Sequence, residues 1–128
     1  MNKRVLVVDD EELMLDIVRR ILEPPGYEIH TAQKVDEAFR LCKKVEPFLV
    51  ICDLRLSNHV DGATLAGMIQ RYNPYCILVC MTGSLQAFDK GYLLGSAFTD
   101  ILTKPLDIEL LRRITRHAND KYERWKSY

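Results

Sequence analysis

The sequence has no apolar run approaching the roughly 20 residues that a bilayer-spanning helix needs, so a transmembrane segment is not expected. Met1-Asn2-Lys3-Arg4 leads into a strand pattern and not into a signal-peptide core, which makes the cytoplasm the expected location. It also lacks a charge of one sign: 18 Lys plus Arg face 18 Asp plus Glu. No global field therefore draws the chain to nucleic acid or to an anionic membrane, and function has to come from local charge. The four cysteines have no CxxC spacing and lie in apolar segments, which reads as buried free thiols and not as a zinc site or a disulfide frame. Six glycines and five prolines are too few for a low-complexity or fibrous chain.

What is present fits one compact domain. The 128 residues are enough for a single core, and 48% apolar with 28% charged lies inside the globular range. Val5-Leu6-Val7-Val8 is a short apolar run ending at Asp9-Asp10, the pattern of a strand buried on both faces. From Glu11 the period changes to a helical one through Leu13, Ile17, Val18, Ile21 and Leu22, until Pro24-Pro25-Gly26 stops it. The alternation repeats. A strand over 27–32 precedes a helix over 35–45 with Ala38, Leu41 and Cys42 inward, and a strand from Phe48 to Cys52 ends at Asp53. Asp61 can cap a helix to about Tyr72, and a strand from Cys76 to Met81 ends at Thr82-Gly83. A helix over 85–94, weakened by Gly91 and Gly95, is followed by a strand over 100–103 ending at Lys104-Pro105. The last helix runs from about Asp107 into Lys121 or beyond, with Ile108, Leu111, Ile114 and Thr115 inward. Five βα units predict a parallel sheet covered by helices on both faces, joined by right-handed crossovers.

Ligands of such sheets bind beyond the carboxyl ends of the strands. Asp9 and Asp10, Asp53, Thr82 and Lys104 all fall at strand ends, so one rim is expected to collect three carboxylates, a hydroxyl and an ammonium. Carboxylates that close raise one another's pKa unless a cation sits among them, and a hard, oxygen-loving ion such as Mg²⁺ suits that donor set. Lys104 supplies a second positive charge, poised to pair with Asp53 or with a phosphoryl oxygen on it. A carboxylate beside two cations is set up to attack phosphorus, and the Thr82 hydroxyl can donate to the transferred group.

With these residues assembled, the chain resembles the receiver domains of two-component response regulators, chemotaxis-regulator-like, over nearly its whole length to about His117. The resemblance rests on Val5-Leu6-Val7-Val8-Asp9-Asp10-Glu11-Glu12, Leu49-Val50-Ile51-Cys52-Asp53-Leu54, Asp61-Gly62, Met81-Thr82-Gly83 and Leu102-Thr103-Lys104-Pro105. It implies a flavodoxin-like doubly wound five-stranded parallel sheet of order 2-1-3-4-5. It implies that Asp53 accepts a phosphoryl group from a sensor histidine kinase or a histidine phosphotransfer protein. Asp10, Asp53 and the Arg55 carbonyl would then ligate Mg²⁺ (or Mn²⁺) directly and Asp9 through water. Lys104 would contact the phosphoryl group, and the bond to Pro105 would be cis. The domain would occupy 1–120, with 121–128 a helix extension or the start of a linker, and the chain would be a stand-alone receiver or a piece of a larger protein. Its output surface would comprise the helix of 85–94, the fifth strand and the last helix, with homodimerisation open. Such a chain is a switch and not an enzyme in the usual sense, catalysing only its own phosphorylation and dephosphorylation.

Three departures from the family pattern stand out. Ile101 holds the switch position, three residues before the lysine, where an aromatic is common. The loop after Asp53 lacks Met-Pro and reaches Asp61-Gly62 one residue late, and Arg55 sets a long cation beside the site. Ile101 and the altered loop leave room for a second reading, a phosphorylation-independent pseudo-receiver used as an interaction module. A dehalogenase-type aspartyl-phosphate hydrolase ranks last, because Glu12 stands where a second aspartate is needed and no cap domain fits. His30, His59 and His117 lack ligand spacing and receive no role. The aromatic-basic residues Lys121, Tyr122, Arg124, Trp125, Lys126 and Tyr128 read as helix extension before nucleic-acid surface, so no direct nucleic-acid binding is expected.

Overall fold

A computed structural model describes residues 1–56, 62–83 and 96–128. Its strands are β1 (Arg4–Val8), β2 (Glu28–Ala32), β3 (Leu49–Asp53), β4 (Ile77–Thr82) and β5 (Asp100–Thr103). All pair in parallel in the order β2-β1-β3-β4-β5, the expected flavodoxin-like order. The helices are α1 (Glu12–Leu22), α2 (Val35–Val45), α3 (Gly62–Tyr72) and α4 (Ile108–Lys126). The expected helix over 85–94, the Asp61 cap and His59 lie outside the described residues.

Alternation across the sheet builds two cores. Val5, Val7, Leu49, Ile51, Val79 and Met81 face one side, with Val18 and Leu22 of α1 and Leu111 of α4. Leu6, Val8, Val50, Cys52 and Leu78 face the other, with Ala38 and Cys42 of α2 and Leu65 and Ile69 of α3. Fully burying such a side chain contributes about 1.5–3 kcal/mol, so the central strands, buried on both faces, anchor the fold. The turn after α1 ends at Gly26, whose φ of +110° suits a residue without a β-carbon. Arg4 Nε donates to the Val45 carbonyl at 2.6 Å and Asn2 Nδ2 to the Glu46 carbonyl at 2.9 Å, satisfying the carbonyl end of α2.

Two expectations need correction. Leu13 is 68% exposed and the buried stripe of α1 is Leu15, Val18, Ile21 and Leu22, because at about 100° per residue Leu13 lies on the far side of the helix from the centre of that stripe. Ile108 is 52% exposed. It opens the first turn of α4, before that helix settles on the sheet, whereas Leu111 and Thr115 are fully buried. The expected helix extension is present, α4 running to Lys126, and Tyr122 within it is buried, with its ring centroid 6.3 Å from that of Phe48. Asn119 Nδ2 donates to the Asn2 carbonyl at 2.7 Å, tying the same stretch of α4 to the start of the chain.

Cys42, Cys52, Cys76 and Cys80 are free and buried. Burial pushes the Cys42 thiol up to about 11, with Glu46 adding to it, and raises Cys76 well above the ordinary thiol value. Both therefore stay protonated at neutral pH, where the thiolate is the reactive form. At pH 8 an aromatic disulfide reagent is expected to label the native chain only at the rate of unfolding, and to release four equivalents once denatured. Fast native labelling of Cys42 or Cys76 would contradict this packing.

Candidate phosphoacceptor and metal site

The strand ends that carry the polar residues are held past the last formal strand residue. The Asp9 N–H donates to the Ala32 carbonyl at 3.1 Å, Leu54 N–H to Met81 at 3.1 Å and Lys104 N–H to Thr82 at 2.8 Å. Each is one more rung of a parallel ladder, so the side chains at the rim project from fixed backbone. Register sets their order: Val8 pairs with Cys52, placing Asp9 beside Asp53, and Thr82 pairs with Thr103, placing Lys104 at the far edge.

Asp9, Asp10 and Asp53 bring one carboxylate oxygen each within 4.8 Å of one another. Asp9 is fully buried, Asp53 is 7% exposed and Asp10 faces water. Lys104 reaches both buried acids, with Nζ 2.9 Å from Asp9 Oδ2 and 3.1 Å from Asp53 Oδ2. Neighbouring strands lie about 4.8 Å apart, so β5 and β1 are separated by about 14 Å, which a four-carbon stem and a bent carboxylate together can bridge. The stem passes Gly83, where a β-carbon would touch Lys104 Cδ at 3.8 Å.

The second oxygens are used as well. Asp9 Oδ1 accepts from the Glu11 N–H at 2.8 Å and Asp53 Oδ1 from the Arg55 N–H at 3.2 Å. The Arg55 backbone is thereby fixed against Asp53. Glu11, which precedes α1, makes no side-chain cap, so the acidic run is not explained as helix capping. Burial alone would lower the Lys104 pKa, but the hydrogen bonds it donates to Asp9 and Asp53 and their negative charges outweigh it and raise it. A raised lysine pKa stabilises the fold at every pH below the ordinary 10.5, and that contribution fades only as pH climbs through the higher folded value.

Of the other residues singled out, Thr82 closes β4 and is 2% exposed, Ile101 on β5 is 38% exposed, and the Lys104-Pro105 peptide is cis. His30 lies apart from the rim, paired with Glu28 at 2.6 Å. Two features escaped the sequence. One is the Asp9–Lys104 contact, whose only signal was charge at two strand ends. The other is the approach of Gly62 to Asp53, where a β-carbon would overlap the Asp53 carbonyl oxygen.

Three hard oxygen donors on two adjacent strand ends, answered by one ammonium, suit a small divalent cation of the Mg²⁺ class. Lys104→Met is expected to cost about 3 kcal/mol of unfolding free energy in a chelator, because it leaves a buried carboxylate uncompensated. Urea melts check it. Adding Asp9→Asn is expected to recover part of the loss, and additive losses in the double variant would show that the pair is not coupled.

Comparison with known proteins gives a consistent picture. The family model for the response regulator receiver domain matches residues 5–116. The alkaline phosphatase synthesis transcriptional regulatory protein PhoP of Bacillus subtilis (strain 168) is 31% identical over 105 residues, covering 82% of this chain and 43% of that protein. An uncharacterized 14.6 kDa protein of Leptolyngbya boryana is 31% identical over 117 residues, covering 89% of this chain and 88% of its own. The chain spans about half the length of the curated transcriptional regulators it matches. Among solved structures, the signal receiver domain of an HD domain-containing protein from Pseudomonas fluorescens Pf-5 superposes with a TM-score of 0.89 at 26% identity, covering 96% of this chain and 98% of the other.

Proposed function

The chain belongs to the response-regulator receiver family, and from that premise we propose that it accepts a phosphoryl group on Asp53 from a phosphohistidine donor, a sensor histidine kinase or a histidine phosphotransfer protein. The observation that carries the proposal is the Lys104 ammonium seated between the Asp9 and Asp53 carboxylates beside Asp10. In the transfer an Asp53 carboxylate oxygen forms a bond to phosphorus while the donor's phosphorus–nitrogen bond breaks, and the released imidazole takes its proton from solvent. Asp9, Asp10, Asp53 and the Arg55 carbonyl are the residues proposed to hold Mg²⁺ or Mn²⁺, which when bound neutralises charge on the phosphoryl oxygens. Lys104 follows the new negative charge, since its Nζ already lies against Asp53 Oδ2. Thr82, at the adjoining strand end, offers a hydroxyl toward the same group.

This is a signalling switch and not a classical enzyme, proposed to catalyse only its own phosphorylation and dephosphorylation. Ile101 lies beside that switch, exposed on the edge strand, in place of a large aromatic. The receiver core is proposed to end near residue 120, the remaining turns of α4 leading toward an output domain or partner. That output is proposed to be engaged through β5, α4 and the segment of 85–94, as part of a homodimer or otherwise. No helix among the described residues is long and apolar enough to cross a membrane, which fits the proposed cytoplasmic location. A phosphorylation-independent interaction module is the weaker reading, because it gives no reason for burying two carboxylates around a lysine.

Acetyl phosphate with Mg²⁺ is expected to add 80 Da to the wild-type chain (one HPO₃, about 80 by mass), and neither Asp53→Ala nor a chelated sample is expected to gain it. Intact-mass spectrometry reads the result, and an unlabelled wild-type chain would overturn the proposal. Arg55, beside the site, is proposed to slow loss of the phosphate by pairing with an acidic neighbour or by gating the attacking water. Arg55→Ala should then shorten the phosphoryl half-life, measured by the decay of the added mass, and an unchanged half-life would remove that role.

A further inference from the structure

The closest backbone approach beside the site is made by α3 at Gly62. A β-carbon built there would overlap the Asp53 carbonyl oxygen and lie 3.1 Å from both the Asp53 carbonyl carbon and Cys52 Sγ. The overlapping atom and the carbon it is bonded to are main chain, so they cannot swing aside as the end of a flexible side chain would. The Gly62 N–H donates to the Leu54 carbonyl at 2.8 Å, and the Leu54 N–H donates to Met81 across the sheet at 3.1 Å. The Asp53 carbonyl also accepts from the Cys52 thiol at 3.3 Å. The peptide that follows Asp53 is thus held by a neighbouring strand and a side chain, and the carbonyl of the next peptide by the helix terminus.

We propose that Gly62 is a positioning residue for the Asp53 site: its missing side chain lets α3 seat against the Asp53 carbonyl, and that seating fixes how the Asp53 carboxylate and the Arg55 main chain face Asp9 and Asp10. The inference rests on the reading of Asp53 as phosphoacceptor and deepens it. A methyl group at 62 forces the carbonyl to move by about 1 Å to reach an ordinary contact. The Leu54–Met81 rung cannot follow that movement intact, so the peptide turns. The turn is passed to the Arg55 N–H, which holds Asp53 Oδ1. Gly67, one and a half turns further along α3, shows the contrast. A β-carbon there meets only the end of the flexible Arg71 side chain, at 3.7 Å.

The test compares Gly62→Ala, Gly67→Ala, Asp53→Ala and wild type in acetyl phosphate labelling, in Mg²⁺ titration by calorimetry and in thermal melts. Gly62→Ala is expected to slow labelling by about tenfold to a hundredfold and to weaken Mg²⁺ binding by about tenfold, whereas Gly67→Ala matches wild type in both. A folded Gly62→Ala chain with wild-type labelling rate and Mg²⁺ affinity would overturn the inference, whatever its melting temperature. Should Gly62→Ala fail to fold, Cys52→Ala decides the matter. Loss of the thiol donor should slow labelling and weaken Mg²⁺ binding, with Cys52→Ser restoring both, and wild-type behaviour of Cys52→Ala would overturn the role given to the Asp53 carbonyl. An unlabelled wild-type chain sinks the phosphoacceptor reading alone, and the Gly62 inference is then settled by Mg²⁺ affinity.

Discussion

A lysine ammonium drawn across the ends of three strands to lie between two buried carboxylates is the interaction on which the site depends. Asp9 is fully buried, and an ionised carboxylate in that position is costly unless a positive partner and hydrogen bonds meet it. Lys104 is the partner, and the Glu11 N–H supplies the hydrogen bond to the other oxygen. Asp53 is treated in the same way by Lys104 and the Arg55 N–H. The geometry in turn rests on the parallel sheet, because only strands that end on the same side put residues 51 and 95 positions distant from Lys104 within its reach. Without the ladder rungs at Asp9, Leu54 and Lys104, the same residues would lie on wandering loops.

Much of this was legible in the sequence, and the reasons differ by element. The period-two and continuous apolar runs set the strands to within a residue, the central ones because a strand buried on both faces leaves little freedom in register, and β5 and α2 also fall where the pattern put them. The helix faces were less secure. An apolar residue in a first turn, such as Leu13 or Ile108, fits the helical period yet lies beyond the surface the helix covers, so periodicity alone mistakes it for core. The extension of the last helix past Lys121 was legible, but not that α4 stays on the sheet long enough for the Tyr122 ring to meet Phe48.

For the site, the rule that ligands gather at strand carboxyl ends was sufficient to bring Asp9, Asp10, Asp53 and Lys104 together on paper. It could not say that Lys104 would divide itself between Asp9 and Asp53, because that depends on how far each carboxylate sinks below the rim. Nor could it expose the role of Gly62. A glycine at the start of a helix reads as a permissive cap, and only the coordinates reveal that the space beside it is filled by the Asp53 carbonyl.

A rim built this way is stiff in its backbone and labile in its charge. The strand ends are bonded to their neighbours, and the peptide after Asp53 is held by Met81 across the sheet and by the Cys52 thiol, so β1 and β3 resist moving to make room for a phosphoryl group proposed at Asp53. A phosphoryl group at neutral pH carries close to two negative charges, against one for the carboxylate it replaces. Lys104 then has less reason to remain shared with Asp9, and Asp9 loses the ammonium that offsets its burial. With Asp53 phosphorylated as proposed, two arrangements of the same few side chains would compete, the balance between them set by the charge carried at position 53. Rigidity at the strand ends is what makes that competition effective, since a softer rim would relax around the new group instead of passing the imbalance outward.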